Sequence, residues 1–464
     1  MTPRAGRKPP TSTPPGTSAR RLAIEALLRV EAGGYSNLVL PGLLRSSRLE
    51  ARDRALVTDL VYGTLRQQGQ ADHLLAKASH RPLAELDPPV RAALRLGVYQ
   101  LLSGTAAHAA VSATVGALSG WSSPASIRRA APYANAVLRR VADLGPDWPW
   151  PAGDDSDALA VRTSHPRWIV ELLRRDLGDE AAAVLASANE PPAVTLRPNR
   201  LRTTGEALVA ELTAGGTRVE VEPGRLVPGA LVVRGVGDLG RLPAVAEGRA
   251  TPQDQASQAV AAAVDAHPGE RILDLAAAPG GKTTAMAEAM AGEGLVVAVD
   301  VNPGRAALVR RAAHRLGLRS VHVLAADARH LPLAGPDTPG DRFDRVLLDA
   351  PCSGLGVLRR RPEARWRLDP SDVHRLAGLQ RELLTAAVGW VRPGGLVAYS
   401  VCTLSREETV DVDAWLAGTH PELTALPAPG PPWRPHGRGA LLLPAAAGTD
   451  GMYLLLLRTP RRPS

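Results

Sequence analysis

The sequence predicts an α/β protein in which a parallel sheet with helices on both faces follows an all-helical region and a small α+β insert. Residues 19–143 show helical periodicity without an alternating strand pattern. Residues 158–250 mix helical and strand patterns, and residues 251–460 alternate short apolar strands with Ala-, Leu- and Arg-rich helices. At about 150 residues per domain, the 464 residues of the chain suffice for three such domains.

The helical region is predicted to be a bundle of five to seven helices. One helix face is formed by residues that recur at the helical period, namely Val90, Ala93, Leu94, Gly97, Val98 and Leu101. A second stripe with this spacing comprises Leu56, Val57, Leu60, Val61 and Leu65. We expect the Pro-, Ser- and Thr-rich residues 1–18 to be a disordered tail and residues 144–157 to be a linker.

The insert over residues 158–250 begins with a helical run through Trp168, Ile169, Leu172, Leu173 and Leu177. Its candidate strands are Ala193–Leu196, Thr217–Val221 and Ala230–Val233. The strands predicted for the α/β domain are Arg271–Leu275, Leu295–Val299, Val321–Leu324, Arg345–Leu348 and Leu396–Ser400. In open α/β sheets ligands bind beyond the carboxyl ends of the strands, so the residues that follow these strands are the candidate functional residues.

Composition excludes several classes of protein. Lys and Arg total 55 against 46 Asp and Glu, and the net charge of +9 favours a polyanionic partner such as nucleic acid. The chain has two cysteines, which excludes a Cys-rich zinc module, an iron–sulfur cluster and a disulfide framework, and we expect no metal. It has neither an apolar run of about 18 residues nor the apolar core of a signal peptide. We therefore expect a soluble, cytoplasmic protein with no membrane partner.

A Gly-rich loop follows the first strand of the α/β domain and opens a helix. After Asp274 and Leu275 it consists of Ala276, Ala277, Ala278, Pro279, Gly280, Gly281 and Lys282. Small residues let a ligand approach the backbone amides, and the helix N-terminus favours a carboxylate. The loop matches neither the P-loop nor the dinucleotide fingerprint.

Two acidic residues follow the next two strands. Asp300 can accept hydrogen bonds from ribose hydroxyls, and Asp327 is placed to meet an adenine amino group. A Gly-rich loop, a ribose acid and a base-edge acid in this order predict S-adenosylmethionine as the cofactor.

Both cysteines lie just beyond predicted strands. Cys352 follows the fourth strand in Asp349-Ala-Pro-Cys, and Cys402 follows the fifth strand. Thiols and a carboxylic acid beside a methyl donor suit methylation at carbon 5 of a pyrimidine, because a thiolate that adds to C6 makes C5 nucleophilic. Asp349 would stabilise the charge that develops on the ring, at N3. These residues alone do not choose which thiol attacks.

An Arg-dense segment follows Cys352. It contains Arg359, Arg360, Arg361, Arg365, Trp366 and Arg367. Guanidinium groups pair with phosphates and an aromatic ring stacks on an unpaired base, so this segment is predicted to contact RNA. The alternative interpretation is a solvated basic loop.

The sequence resembles the RsmB (Fmu/Sun) family of 16S ribosomal RNA cytosine-C5 methyltransferases. The resemblance lies in residues 276–282, in Asp300 and Asp327, and in segments 349–354 and 399–402. The N-terminal part resembles the NusB-like RNA-binding domain in segments 36–41, 52–56, 96–102 and 135–140. The resemblance implies a Rossmann-like S-adenosylmethionine-dependent methyltransferase domain. Together the two resembling regions cover nearly the whole chain except the tail.

The resemblance implies a role for each site residue. It makes Cys402 the nucleophile toward C6 and Cys352 the thiol that assists product release, and it places the cofactor on residues 276–282, Asp300, Asp327 and Asp349. Two departures stand out: Ala276 replaces the usual Cys of the loop, and Val401 replaces the usual Thr before the nucleophile. Both thiols are retained, but a hydroxyl contact at Val401 is lost.

The sequence therefore predicts a monomeric S-adenosylmethionine-dependent RNA (cytosine-C5)-methyltransferase that acts on 16S ribosomal RNA. One alternative is the same chemistry on tRNA or at another rRNA position. A second is a non-catalytic NusB-like RNA-binding or antitermination factor, against which the retained thiols and acids argue. A third, an amino-group methyltransferase, would have Asn/Asp-Pro-Pro-aromatic where this chain has Asp349-Ala-Pro-Cys.

Overall fold

The computed structural model describes residues 16–121, 125–214, 219–237, 239–333 and 342–461. The chain divides into two compact units, of which the first comprises Met1–Val170 and Arg361–Trp366 and the second comprises Glu171–Arg360 and Arg367–Ser464. The predicted disordered tail, residues 1–18, lies outside the described residues up to residue 15, and the prediction is wrong for Thr17 and Ser18, which belong to a helix.

The first unit is helical wherever the structure describes it. Its helices are α1 (Thr17–Glu31), α2 (Ser36–Ser46), α3 (Ala51–Arg66), α4 (Gln68–Ala78), α5 (Pro88–Leu102), α6 (Ala107–Ser119), α7 (Ala125–Arg129), α8 (Ala131–Ala142) and α9 (Ser156–Thr163). The unit also contains the start of α10 (Arg167–Leu177), so the division between units falls inside the predicted insert.

The core of the first unit contains both predicted helix faces. The residues of the 90–101 face are buried in α5, and in the second stripe only Leu56 is partly exposed. The expected five to seven helices are an underestimate, because the described part of residues 19–143 holds eight. Only Gln67 separates α3 from α4, and α7 has five residues, too few to show a period.

The second unit contains a small antiparallel sheet that corresponds to the insert. Its strands are β1 (Val194–Pro198), β2 (Glu220–Pro223), β3 (Leu231–Arg234) and β4 (Ala250–Pro252), in the order β2-β3-β1-β4. Helices α11 (Ala181–Ser187), α12 (Gly205–Thr213) and α13 (Pro243–Ala246) accompany them. The predicted strand at 217–221 lies partly outside the described residues, and the three-residue β4 was not predicted.

The large sheet of the second unit carries the candidate site. Its strands are β5 (Arg271–Asp274), β6 (Leu295–Asp300), β7 (Val321–Ala325), β8 (Phe343–Asp349), β9 (Val391–Val401), β10 (Thr424–Ala425), β11 (Arg434–His436), β12 (Gly439–Leu442) and β13 (Met452–Arg458). The accompanying helices are α14 (Gln255–Ala263), α15 (Gly281–Ala289), α16 (Pro303–Leu316), α17 (Pro370–Trp390), α18 (Val410–Thr419) and α19 (Pro444–Ala447).

The order of this sheet is β11-β12-β13-β9-β8-β5-β6-β7, and β10 pairs with β13. Strands β9, β8, β5, β6 and β7 are parallel, as predicted, and their buried apolar residues pack against α14, α15 and α16. The antiparallel half from β10 to β13 was not predicted. The α/β fold class is confirmed, and the carboxyl ends of the five parallel strands meet at one edge.

Candidate active site

The loop after β5 is fixed against the sheet. Ala277 N–H donates to the carbonyl of Val299 at the end of β6 (2.8 Å). Gly280 has a φ of 103°, and a Cβ there would lie 3.1 Å from Val309 Cα. Only glycine adopts this backbone without strain. The predicted loop residues differ in exposure, since Ala277 and Gly280 are buried, Ala276, Ala278, Gly281 and Lys282 are half-buried, and Pro279 is exposed.

Asp274 lies beneath this loop. Its Oδ2 accepts a hydrogen bond from Thr283 Oγ1 (2.6 Å), whereas its Oδ1 is buried and has no hydrogen-bond partner among the described residues. Burial raises the pKa of Asp274 to about 7, although the Thr283 hydrogen bond opposes the shift. A carboxyl oxygen without a partner next to a Gly-rich loop is a polar group that a ligand could satisfy.

The two predicted nucleoside-binding acids lie at successive strand ends. Asp300 is 4% exposed, and its Oδ1 accepts a hydrogen bond from Asn302 N–H (3.0 Å). Asp327 accepts hydrogen bonds from the backbone and guanidinium of Arg329, which lower its pKa to about 2. Asp300 Oδ2 also lies 3.5 Å from a guanidinium nitrogen of Arg305, so at both carboxylates a ligand would share the oxygens with an arginine.

Asp349 forms an ion pair with Lys282. The distance from Lys282 Nζ to Asp349 Oδ2 is 2.6 Å, and Asp349 Oδ1 accepts a hydrogen bond from Ser400 Oγ (2.7 Å). Burial opposes the charge on Lys282, but Asp349 outweighs it and raises the pKa of Lys282 above its usual value. The Gly-rich loop and the end of β8 are thus joined through Lys282. Sequence reasoning identified both residues but not their pairing.

The two thiols are in contact. Cys352 Sγ and Cys402 Sγ lie 3.3 Å apart, which allows a hydrogen bond and is longer than a disulfide. The hydrogen bond with Cys402, together with burial, raises the pKa of Cys352 well above its usual value, and Glu408 and Asp349 act in the same direction. Cys352 therefore stays protonated beside Cys402.

A buried carboxylate, Glu408, lies behind both thiols. Its Oε1 accepts hydrogen bonds from Ser353 N–H (2.8 Å) and Gln380 Nε2 (3.0 Å). Its Oε2 accepts hydrogen bonds from the hydroxyls of Ser353 (2.5 Å), Thr403 (3.1 Å) and Ser405 (2.9 Å). Sequence reasoning missed Glu408. The only available signal was an acidic pair, Glu407 and Glu408, shortly after Cys402.

The predicted RNA-binding arginines do not form one surface, and this part of the prediction needs correction. Arg359 is buried and donates to the Thr449 carbonyl (3.3 Å). Arg360 pairs with Asp254 (2.5 Å) and Asp450 (2.8 Å). Their guanidinium groups are engaged by the protein itself, so phosphate contact is left to other residues.

The remaining residues of this Arg-dense segment differ in how far they are exposed to solvent. Arg365, in the first unit, is 0% exposed and donates to the Ser164 carbonyl (2.9 Å), so it too is unsuited to RNA contact. Trp366 is half-buried, whereas Arg361 and Arg367 are exposed. Exposure alone retains Arg361 and Arg367 as predicted RNA-binding residues.

The described residues contain neither a membrane-spanning helix nor a cluster of metal-ligating side chains. None of the described helices is long and apolar enough to cross a bilayer. Within the same residues, no group of three or more His, Cys, Asp or Glu side chains is arranged to hold a metal ion.

Three family models match the chain. The model described as 16S rRNA methyltransferase RsmB/F matches residues 261–458. The model of the NusB family matches residues 17–143, and the model of the RsmF/B-like ferredoxin-like domain matches residues 165–239. Together the three matches span the helical region, the insert and the α/β domain.

Whole-length relatives support the same grouping. The protein Rv1407 of Mycobacterium tuberculosis is 42% identical, over 95% of this chain and 96% of its own. The ribosomal RNA small subunit methyltransferase B of Thermus thermophilus is 38% identical over 95% of this chain and 97% of its own. That of Pseudomonas putida is 37% identical over 94% of this chain and 97% of its own.

Solved structures share the architecture. The crystal structure of PH0851 superposes with a TM-score of 0.81 at 29% identity and covers 96% of this chain and 98% of its own. NSun6 from Pyrococcus horikoshii, solved with SFG, has a TM-score of 0.57 at 22% identity over 63% of this chain and 98% of its own, which shows a shared fold.

Proposed function

Because the chain belongs to the RsmB/F family of 16S rRNA methyltransferases, we propose that it methylates carbon 5 of a cytosine in 16S ribosomal RNA, with S-adenosylmethionine as the methyl donor. The observation that carries this proposal is the contact between the two thiols, 3.3 Å apart at the end of β8 and β9, beside Asp349. An RNA methyltransferase that acts on an exocyclic amine or a ribose hydroxyl has no use for two thiols in contact.

The residues around the Gly-rich loop fit S-adenosylmethionine. The unpartnered Oδ1 of Asp274 and the N-terminus of α15 offer partners for the amino and carboxylate groups of a methionine moiety. Asp300 and Asp327 offer acceptors for the ribose and adenine groups. When bound, the cofactor supplies an electrophilic methyl group. The structure of NSun6, which has the same fold, was solved with the ligand SFG, and this supports ligand binding on this fold.

Cys402 is the proposed nucleophile. Its thiolate adds to C6 of the cytosine, the C5–C6 double bond opens, and C5 becomes nucleophilic toward the methyl group. Cys352, whose high pKa keeps it protonated, is the proposed assistant in releasing the methylated product, when loss of the C5 proton expels Cys402. The raised pKa of Cys352 supports this division of roles, because a protonated thiol is a poor nucleophile.

Asp349 is the proposed ring-binding residue. Charge develops on the ring at N3 when the thiolate adds, and a carboxyl group at the end of β8 can share a proton with that nitrogen. Lys282 and Ser400 hold both oxygens of Asp349, so the group is oriented before the cytosine arrives.

The helical region 19–143 and the exposed Arg361 and Arg367 are proposed to position the RNA. A cytosine must leave its stack to reach thiols that are half-buried, and this costs least in a loop or in incompletely folded RNA. A substrate of this kind is bound where ribosomal RNA is made, so the cytoplasm is the proposed location. We propose a monomer.

The test is transfer of labelled methyl groups to unmethylated 16S RNA by the wild type and by the Cys402→Ala and Cys352→Ala variants. Cys402→Ala should lower the rate at least about 1,000-fold and form no covalent protein–RNA complex. Cys352→Ala should accumulate that complex on denaturing gels, because adduct resolution is impaired. Mass spectrometry of digested RNA should identify 5-methylcytidine.

Transfer RNA serves as the parallel substrate in the same assay. Preferential methylation of tRNA would replace 16S RNA as the proposed substrate. Full activity of Cys402→Ala, or a complex that requires Cys352, would contradict the assignment of the nucleophile. Since the chain has two cysteines, any thiol adduct must involve one of these positions.

A further inference from the structure

Glu408 bonds to the residue that follows each cysteine. Ser353 comes directly after Cys352 and Thr403 directly after Cys402, and both donate hydrogen bonds to the same carboxylate. The loops after β8 and β9 are distant in sequence, and they also contact each other directly. Ser353 Oγ lies 2.7 Å from Thr403 Oγ1, and Gly356 N–H donates to the Cys402 carbonyl (3.0 Å). Glu408 therefore adds a buried side-chain link between the two backbone segments from which the thiols project.

Both carboxylate oxygens of Glu408 accept several hydrogen bonds, although no cation among the described residues pairs with them. Five hydrogen bonds reach its two oxygens, and none of its described partners is positively charged. A fully buried carboxylate is costly unless such donors compensate it. Two of the three hydroxyls on Oε2 could accept hydrogen bonds from the NH2 of a neutral amide at this position, so most of the hydrogen bonds can form without a charge.

A second layer fixes Glu408 itself. Tyr399 Oη lies 2.7 Å from the Glu408 backbone carbonyl oxygen and 3.0 Å from Gln380 Oε1, and its one proton is shared between these two acceptors. Gln380 Nε2 in turn donates to the Pro351 carbonyl (2.9 Å), next to Cys352. The carboxylate therefore cannot turn away from the two loops without breaking buried hydrogen bonds.

We propose that Glu408 is a positioning residue: it holds Cys352 and Cys402 in contact during the reaction and places a negative charge beside Cys352. This inference rests on the proposed cytosine-C5 chemistry. Glu408 makes no hydrogen bond to either thiol sulfur. It therefore acts through its hydrogen bonds to Ser353 and Thr403 and through the electrostatic effect of its negative charge on Cys352.

Among the described residues, few charged or titratable groups act on the ionisation of Cys352. Cys402, Glu408 and Asp349 all oppose the ionisation of Cys352, and Tyr399 also interacts with Cys352 electrostatically. Lys282 pairs with Asp349 and also faces Cys402. Tyr399, packed against Glu408, is buried and its pKa is raised well above the usual value, so it is neutral. Glu408 is thus the one acid in this group whose removal leaves the ion pair of Asp349 intact.

The first experiment measures kcat and KM for RNA in Glu408→Ala and Glu408→Gln. Glu408→Ala removes the carboxylate that both loops bond to, and kcat should fall about 100-fold while KM changes less than about threefold, because misplacement of a reacting group acts on the chemical step. Glu408→Gln keeps the hydrogen-bond geometry and should lose only about tenfold in kcat. Glu407→Gln is the matched control, since the neighbouring Glu407 pairs with Arg175 away from the thiols (2.7 Å), and its kcat should equal that of the wild type.

The second experiment needs no RNA. Alkylation of Cys352 by iodoacetamide is followed against pH in Cys402→Ser and in Cys402→Ser/Glu408→Gln. Removing the negative charge of Glu408 in the double variant should lower the pH midpoint of Cys352 alkylation by about one pH unit relative to Cys402→Ser. Because Glu408→Gln is nearly isosteric, this comparison stands even if Glu408→Ala does not fold.

Unchanged kcat in both Glu408 variants, or an unchanged alkylation midpoint, would overturn the inference. These failures are distinct from failure of the proposed function. Absence of 5-methylcytidine with the wild-type protein rejects the C5 chemistry, whereas an active wild type with indifferent Glu408 variants rejects only the role of Glu408.

Discussion

The two thiols are chemically unequal although each follows a strand of the same sheet. Cys352 shares a hydrogen bond with Cys402 and faces the carboxylates of Glu408 and Asp349, and all of these raise its pKa. A thiolate is the reactive form of cysteine, so the protein distinguishes the thiols by their surroundings. This inequality has a consequence that can be measured in the free protein.

Limiting iodoacetamide at pH 7.5 should label Cys352 more slowly than Cys402, because the raised pKa of Cys352 lowers the fraction of thiolate from which alkylation proceeds. Labelling of Cys352 should rise only as the pH becomes alkaline, since a raised pKa keeps the thiol protonated at neutral pH. Peptide mapping by mass spectrometry measures both sites in one sample. Equal labelling at pH 7.5 would contradict the inequality.

The sequence was informative about residues that act at strand ends and silent about their partners. Cys352, Cys402, Asp300 and the loop residues could be predicted because each follows a recognisable strand. The ion pair of Lys282 with Asp349 joins positions 67 apart, and such a pairing depends on strand order, which periodicity does not reveal. The burial of Arg359, Arg360 and Arg365 could not be predicted for the same reason, since their partners lie far along the chain.

Strands that alternate with helices could be predicted, including β7 at the edge of the sheet, whereas the antiparallel strands β10 to β13 could not, although β13 is regular and buried. Strands β5, β6 and β8 lie inside the sheet and are rich in apolar residues, a strong signal. Strands β10, β11 and β12 have two to four residues and Pro or Gly among or near them. Their pairing depends on β13, so no local pattern identifies them.

The packing of α3 against α5 supplies a prediction about stability. A Cβ at Gly63 would lie 2.0 Å from the Tyr99 ring, so Gly63→Ala should displace the ring and break its hydrogen bond to Asp59 (2.8 Å). Overpacking of this kind costs about 1–3 kcal/mol. That cost should exceed the roughly 1 kcal/mol by which alanine favours a helix over glycine.

The matched control is Gly378→Ala in α17, where an added Cβ meets nothing within 4 Å. Only helix propensity applies there, so this variant should be more stable than the wild type by about 0.5–1 kcal/mol. Thermal unfolding followed by circular dichroism compares the two variants. A Gly63→Ala protein as stable as Gly378→Ala would show that α3 and α5 are less closely packed than the structure indicates.

Across the second unit, one half-buried arginine joins the small sheet to the parallel half of the large sheet. Arg197 in β1 pairs with Glu288 in α15 (2.9 Å) and donates to the Gly281 carbonyl (2.8 Å) at the start of that helix. The side chains are 11% and 5% exposed, respectively. The insert therefore supports the helix whose first turn carries Lys282, which gives it a structural role in the site.

Arg197→Met should destabilise the second unit by about 3–5 kcal/mol, because it leaves Glu288 buried without its closest cation. The double variant Arg197→Met/Glu288→Leu also removes the Glu288 carboxylate, so it should recover most of the stability that Arg197→Met loses. Burial already raises the pKa of Glu288 in the intact pair, and the loss of Arg197 should raise it further. An acid whose folded-state pKa exceeds its unfolded value binds the proton more tightly when folded, so stability falls as the pH rises between the two values.

The single variant should therefore be closest to the wild type near pH 5 and most destabilised near pH 8, whereas the double variant should show little of this dependence. Urea unfolding at both pH values measures the difference. If the single and double variants were equally destabilised, the loss would come from packing around the Arg197 stem rather than from the stranded carboxylate. Weaker cofactor binding by the single variant would further show that the insert acts on the site through the start of α15.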